Sequence, residues 1–302
     1  MKSFGYYVIR GLLFPLSHLP LGFHRAFSRF AGWLMHSVFH YRRDVVMINL
    51  SRSFPDKKYD ELDSICRMAY RRIATIFCEA IWFGAATPGK LKKARIAEID
   101  NPELLNSFID KGKSVFVLTS HCGNWELLGG YKSYARTQAL SIPENDICVV
   151  YKELSSRAWD QFMFRNRLAP IADKTHYDGL VESFHIMRYA YRNKDVPKIY
   201  NFINDQSPYS ESSKVKVNDF MHQTTYSMNG APALAKLFGT ALVYLNMKVN
   251  DNGSYTMHFT TIAEDASLME VKDMLDAYYG LLQKDLEEQP WNYLWTHKRW
   301  KI

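Results

Sequence analysis

The run His121-Cys-Gly-Asn-Trp-Glu126 follows Val115-Phe-Val-Leu-Thr-Ser120, an apolar, β-branched stretch that reads as a buried strand. A histidine at the C-terminal end of a strand sits where α/β proteins build their sites. Imidazole titrates near neutrality, so it suits a general base. Glu126 stands five positions on and is a candidate to orient the ring, as Asp does in a triad. Five residues turn about 140° on an ideal helix, so the two cannot share a helical face. They meet only if His121 lies on the loop and Glu126 in the first turn of a helix spanning 125–135. Gly123 permits the bend, and Asn124 reads as the helix N-cap. Backbone N–H groups at Asn124 and Trp125 are candidate donors to a developing oxyanion. The bland alternative is a structural His–Glu hydrogen bond at a helix start. Cys122 is a poor nucleophile beside His121, because neighbouring residues at a strand end point opposite ways.

Two further groups carry chemistry. Arg165 and Arg167 lie in a predicted helix over 155–168, and guanidinium suits phosphate recognition. Two helical arginines also fit an ordinary solvated face. Asp205-Gln206 follows a predicted strand over 199–204, facing the same side as His121. Asp205 supports an arginine, orients an acceptor, or forms an Asx turn before Pro208.

These residues need a scaffold, and the pattern supplies one. Helices are expected over 58–80, 102–111, 178–192, 230–238 and 268–287. Strands are expected over 95–99, 115–120, 147–151, 199–204, 241–248 and 255–261. The alternation predicts an α/β fold with a mixed, largely parallel sheet flanked by helices.

The 302 residues are 47% hydrophobic, with net charge +7 and a pI near 9.0. That balance predicts an anionic partner: nucleic acid, an anionic membrane or a phosphorylated substrate. Aromatics reach 15%, which favours a membrane interface. Residues 1–43 hold Lys2, Arg10, Arg25, Arg29, Arg42 and Arg43 with no Asp or Glu. They read as two short interfacial helices, about 5–15 and 21–40, set before a single domain over 41–302. The competing reading is a basic helix packed on that domain. Arg10, Pro15, Pro20 and Arg25 interrupt any membrane span, and no signal-peptide cleavage pattern is present. Cys66, Cys78, Cys122 and Cys148 match neither a zinc site nor a disulfide framework, which fits a reducing compartment.

The motif resembles the His-x-Gly-Asn-Trp-Glu signature of the bacterial lipid A biosynthesis acyltransferases, the lauroyl/myristoyl transferases within the glycerolipid acyltransferase superfamily. Tyr41-Arg-Arg-Asp-Val-Val-Met-Ile-Asn-Leu-Ser-Arg-Ser-Phe-Pro55, Asp205-Gln206 and Tyr293-Leu-Trp-Thr-His-Lys-Arg-Trp-Lys301 resemble further segments of that family, in the same order. Two positions depart from its pattern. Ser-Pro-Tyr-Ser follows Gln206 in place of an early glycine, and Asn229 stands before Gly230 in place of the usual threonine. The resemblance implies the glycerolipid acyltransferase fold and an O-acyltransferase without metal or tightly bound cofactor. It implies transfer of a long acyl chain from acyl carrier protein (or acyl-CoA) to a lipid A precursor at the cytoplasmic face of the inner membrane. His121 and Glu126 would be the catalytic dyad. Arg165, with Arg167 as second choice, would bind the acceptor's anionic group, and Asp205, Gln206 and Asn124 would line the substrate site. Another acceptor (an aminoacyl lipid, glycolipid or lysophospholipid) fits the same residues. The basic, aromatic tail reads as a membrane-contact edge in preference to a nucleic-acid patch. A non-catalytic lipid-binding protein is the more distant alternative.

Overall fold

The computed structural model describes residues 3–208 and 214–300. Two helices open the chain, α1 (Phe4–Leu16) and α2 (Leu21–Trp33), the second continuing as a π-turn over Leu34–Val38. Then come α3 (Arg43–Ser53), the long α4 (Tyr59–Phe83), α5 (Pro88–Ala94), β1 (Ala97–Ile99), α6 (Pro102–Ile109) and β2 (Val115–Thr119). The middle of the chain holds α7 (Tyr131–Tyr134), β3 (Ile147–Tyr151), α8 (Arg157–Arg167), β4 (Leu180–Glu182), α9 (Ile186–Arg192) and β5 (Ile199–Ile203). The last third holds β6 (Lys214–Lys216), β7 (Tyr226–Met228), α10 (Gly230–Phe238), β8 (Ala241–Val249), β9 (Tyr255–Ala263) and α11 (Val271–Glu288).

Seven strands form one sheet in the order β1-β9-β8-β2-β5-β3-β4, and β6 pairs with β7 in a separate ribbon. Only the β8–β9 pairing in the large sheet is antiparallel. This is the expected mixed, largely parallel α/β sheet. Its central strands β2, β3 and β5 are buried on both faces, as parallel strands must be. Alternate residues divide between two cores. Phe116, Leu118, Tyr200, Phe202, Leu242 and Tyr244 pack on one side with α3, α9, α10 and α11. Val115, Val117, Ile199, Val243 and Leu245 pack on the other with α5, α6 and the end of α4. A one-residue slip of β2 would exchange the two sets, so the register is fixed by packing.

Two expected helices differ. Residues 125–135 form a 3-10 helix over Trp125–Gly130 before the single turn of α7. Gly129 and Gly130 lie in mid-run, where glycine weakens an α-helix. The 178–192 segment begins as strand β4, pairing with β3, before α9. Its Leu180-Val-Glu182 is too short for a period to separate strand from helix.

The N-terminal helices lie against the body. The Ser3 hydroxyl and backbone N–H both donate to Gln161 of α8, and α2 crosses α4 at Gly32. A side chain there would stand 2.7 Å from the Arg71 backbone. The outer faces of these two helices expose Phe4, Tyr7, Leu12, Phe23, Phe27, Phe30 and Trp33. No helix among the described residues is long and apolar enough to cross a membrane.

The C-terminal tail is largely interior. Trp295 is fully buried and Arg299 is 2% exposed, so these side chains pack into the body, while Lys298 remains exposed. Asn49 of α3 donates to the carbonyls of Trp295 and His297 at 2.8 and 3.0 Å, and Arg42 donates to that of Thr296. These bonds explain why the Tyr41–Pro55 segment and the tail belong together, although about 250 residues separate them.

Candidate active site

Adjacent parallel strands build the centre of the site. β2 and β5 pair with Thr119 opposite Ile203, and the Asn204 N–H extends the ladder to the Thr119 carbonyl. Two residues past each register partner stand His121 and Asp205. The His121 ring Nδ1 lies 2.7 Å from Asp205 Oδ1, and the His121 backbone N–H donates to the same oxygen at 3.1 Å. Asp205 is 2% exposed. Burial alone would raise its carboxyl. The charge of protonated His121 and the ring and backbone hydrogen bonds outweigh burial and hold it below the ordinary carboxylate range. An ionised Asp205 accepts only, so Nδ1 carries a proton in either charge state of the ring, and in the neutral ring the lone pair falls on Nε2. The Gln206 amide reaches that Nε2 at 3.1 Å. Trp125 packs edge-on against the imidazole at 4.6 Å between centroids, fixing the ring plane.

Glu126 is not the partner of His121. Its two oxygens accept from Arg167 Nε and Nη2 at 2.8 and 2.7 Å, a bidentate pair. The 3-10 geometry and the nearness of α8 turn the carboxylate toward Arg167, and Asp205 already fills the Nδ1 position. Burial by itself would lower the Arg167 guanidinium, but the Glu126 charge and hydrogen bond raise it overall. The guanidinium also lies 5.6 Å from the Tyr151 ring centre.

The remaining expected site residues divide. Arg167 lines the cleft beside His121, Glu126 and Gln206. Arg165, the first choice, is exposed and outside that lining. Two positions turn about 200° on an α-helix, so only one of the pair faces inward. Asn124 is fully buried and does not reach the cleft. It is the N-cap as expected, with its oxygen accepting from the Glu126 N–H. Its amide donates to Glu79 at 2.9 Å, and its own N–H points to Met247 Sδ at 3.0 Å. That contact removes one of the two expected oxyanion donors. Cys122 is buried, and burial pushes its thiol well up, which keeps it protonated and inert.

Gly123 is required twice over. Its φ is +65°, a region other residues avoid, and a Cβ there would lie 2.4 Å from the Met247 side chain. Asn292 secures the turn by accepting from the Gly123 N–H at 2.9 Å and donating to the Met247 carbonyl. Asn292 and Glu79 are the supports that the sequence reading passed over. The signal for Glu79 was present: a lone carboxylate inside the apolar run Ala74–Phe83.

The cleft encloses about 470 Å³ at the C-terminal ends of β3 and β5 and the start of α10, within the range of small-molecule sites. Val149, Val150, Ile186, Phe202, Ala231 and Leu234 give it apolar walls, while His121, Gln206, Glu126 and Arg167 gather its polar groups. Among the described residues no group of three or more His, Cys, Asp or Glu side chains is arranged to hold a metal ion.

A histidine held by a buried carboxylate at the edge of an apolar cleft is compatible with acyl transfer, and a family comparison decides the class. The family model described as bacterial lipid A biosynthesis acyltransferase matches residues 1–302, the whole chain. The chain belongs to that family. As a lipid A biosynthesis acyltransferase it transfers acyl groups other than aminoacyl groups. A search of curated proteins returns no match.

Proposed function

We propose that this acyltransferase moves a long acyl chain from the phosphopantetheine thioester of acyl carrier protein to a hydroxyl of a lipid A precursor. The observation that carries the mechanism is His121, held by Asp205 through Nδ1 with Nε2 meeting Gln206 where both line the cleft. In this reading the acceptor hydroxyl displaces the Gln206 amide and gives its proton to Nε2. Its oxygen attacks the thioester carbonyl. Asp205 stabilises the imidazolium that forms. The freed Gln206 amide donates to the oxyanion. Collapse expels the thiolate, which recovers the proton from Nε2, so no covalent enzyme intermediate is needed. Glu126 sets the position of Arg167, and Arg167 keeps N–H groups beyond the two given to Glu126 for an anionic group of the substrate.

The apolar walls suit a fatty chain. The basic balance of the protein suits an acidic carrier and an anionic membrane. The aromatic faces of α1 and α2 would seat the enzyme on the cytoplasmic surface of the inner membrane, where its acceptor lies. Lipid mass spectrometry of the native host carrying His121→Ala tests the reading. Lipid A lighter by one acyl chain is the expected result. Intact lipid A with a missing acylated aminolipid or phospholipid would replace the acceptor, and unchanged lipids would refute the reading.

A further inference from the structure

A second pocket, of about 260 Å³, lies between α2, α4 and the β8–β9 turn, away from the acyl cleft. Four arginines line it: Arg25, Arg29, Arg71 and Arg72. Two carboxylates lie nearby. Asp251 lines the rim, and Glu79 accepts from Arg25 Nε at 3.0 Å. Positive charge therefore exceeds negative in the pocket.

The guanidinium groups are only partly satisfied. Arg25 also gives N–H bonds to the Asn252 and Gly253 carbonyls. The guanidinium groups of Arg29 and Arg71 are exposed and make no hydrogen bond or ion pair with the described residues. Arg72 is 9% exposed. Its Nη2 donates to the Tyr255 hydroxyl at 2.7 Å, while its buried Nε has no partner. A buried, unpaired guanidinium N–H is costly to keep. Burial, then the charges of Arg29 and Arg72, push the Arg71 guanidinium down, as like charges gathered in one pocket do. An anion in the pocket would offset this like-charge crowding.

The surroundings select the anion. On α2, Arg29 borders one side of the stripe of exposed Phe23, Phe27, Phe30 and Trp33, and Arg25 lies further round toward α4. An arginine cluster beside an exposed aromatic stripe matches a phosphate at headgroup depth, with rings in the interface. The pocket is also joined to the catalytic turn. Glu79 holds Arg25 through one oxygen and accepts from Asn124 and Tyr255 through the other. Arg72 and His121 both line a narrow gap between pocket and site.

We infer that Arg25, Arg29, Arg71 and Arg72 form a phosphate-binding site for a lipid headgroup, separate from the acyl cleft and braced against its catalytic turn. The phosphate belongs to the acyl acceptor, an assignment that rests on the function proposed above, or to a bulk anionic phospholipid.

The test is calorimetric titration of the full chain with dioctanoyl phosphatidic acid, with dioctanoyl phosphatidylcholine as control. The double variant Arg29→Gln, Arg71→Gln changes only exposed side chains, and circular dichroism confirms its fold. Wild type should prefer phosphatidic acid, and the variant should lose about tenfold of that preference. An equal preference in both proteins would overturn the site. Kinetics then separate the sources. If the acceptor supplies the phosphate, the variant raises KM for the phosphorylated acceptor and not for its dephosphorylated form. If the membrane supplies it, KM in micelles is unaltered, and flotation on phosphatidylcholine vesicles containing phosphatidic acid falls. Wild type inactive on any lipid A precursor would sink the proposed function and leave the calorimetric result standing.

Discussion

Replacing Asp205 with Asn isolates what the carboxylate contributes. Both bonds from His121, ring and backbone, end on the same Oδ1. An asparagine keeping its oxygen there retains both bonds and the Nδ1–H tautomer, and loses only the charge. That charge matters when Nε2 takes the acceptor's proton and the ring becomes cationic. Asp205 is almost fully buried, so solvent cannot replace it. Uncompensated charge in such a pair costs about 3–5 kcal/mol. At about 1.4 kcal/mol per decade, kcat should fall by about 10²–10⁴-fold, the usual worth of general-base catalysis. If the amide rotates and donates to Nδ1, the proton moves to Nε2 and the loss reaches the upper end. The assay is initial-rate acyl transfer from acyl carrier protein to a lipid A precursor, with circular dichroism to confirm folding. A folded Asp205→Asn enzyme within about threefold of wild type would refute the reasoning, since general-base effects are far larger.

Other perturbations have equally definite outcomes. Gly123→Ala meets an unfavourable φ, about 1–2 kcal/mol, and a clash with Met247. It should lower both Tm and activity, and Met247→Ala should restore only part, because φ is unchanged. Burial pushes the Asp285 carboxyl up to about 6 despite a hydrogen bond from Tyr244. A carboxyl raised on folding favours the native state at low pH. Its contribution is lost as pH rises from about 4 through 6, up to about 3 kcal/mol. Asp285→Asn should therefore raise Tm at pH 7.5 and not at pH 4; the opposite ordering would contradict the assignment. Phe27→Asp with Phe30→Asp should abolish flotation on anionic vesicles while leaving the fold intact, and undiminished flotation would remove α2 from the membrane contact.

The strands and their burial were legible because apolar runs such as Val115–Thr119 and Ile199–Ile203 have one sensible reading. His121 was legible from its place after β2, and the Gly123 bend and Asn124 cap from their residue types. What His121 pairs with was not. Glu126 is near in sequence, whereas Asp205 becomes a neighbour only once β2 and β5 are known to be adjacent and in register. No feature of one sequence states strand order. The same limit hid Glu79 and Asn292, whose bonds cross from α4 and the tail to the turn at Gly123 and Asn124. The choice between Arg165 and Arg167 depended on which face of α8 meets the cleft, which one sequence does not state. How much of the tail lies inside was not legible, because buried and interfacial aromatics look alike until Asn49 and Arg42 are seen to bond its backbone.

The central claim is that Asp205, not Glu126, holds the His121 ring. Proton and ¹⁵N NMR of the imidazole tests it most directly, in wild type, Asp205→Asn and Glu126→Gln. The account predicts a downfield Nδ1–H resonance in wild type that persists in Glu126→Gln and moves upfield or vanishes in Asp205→Asn. A resonance lost in Glu126→Gln and preserved in Asp205→Asn would contradict it.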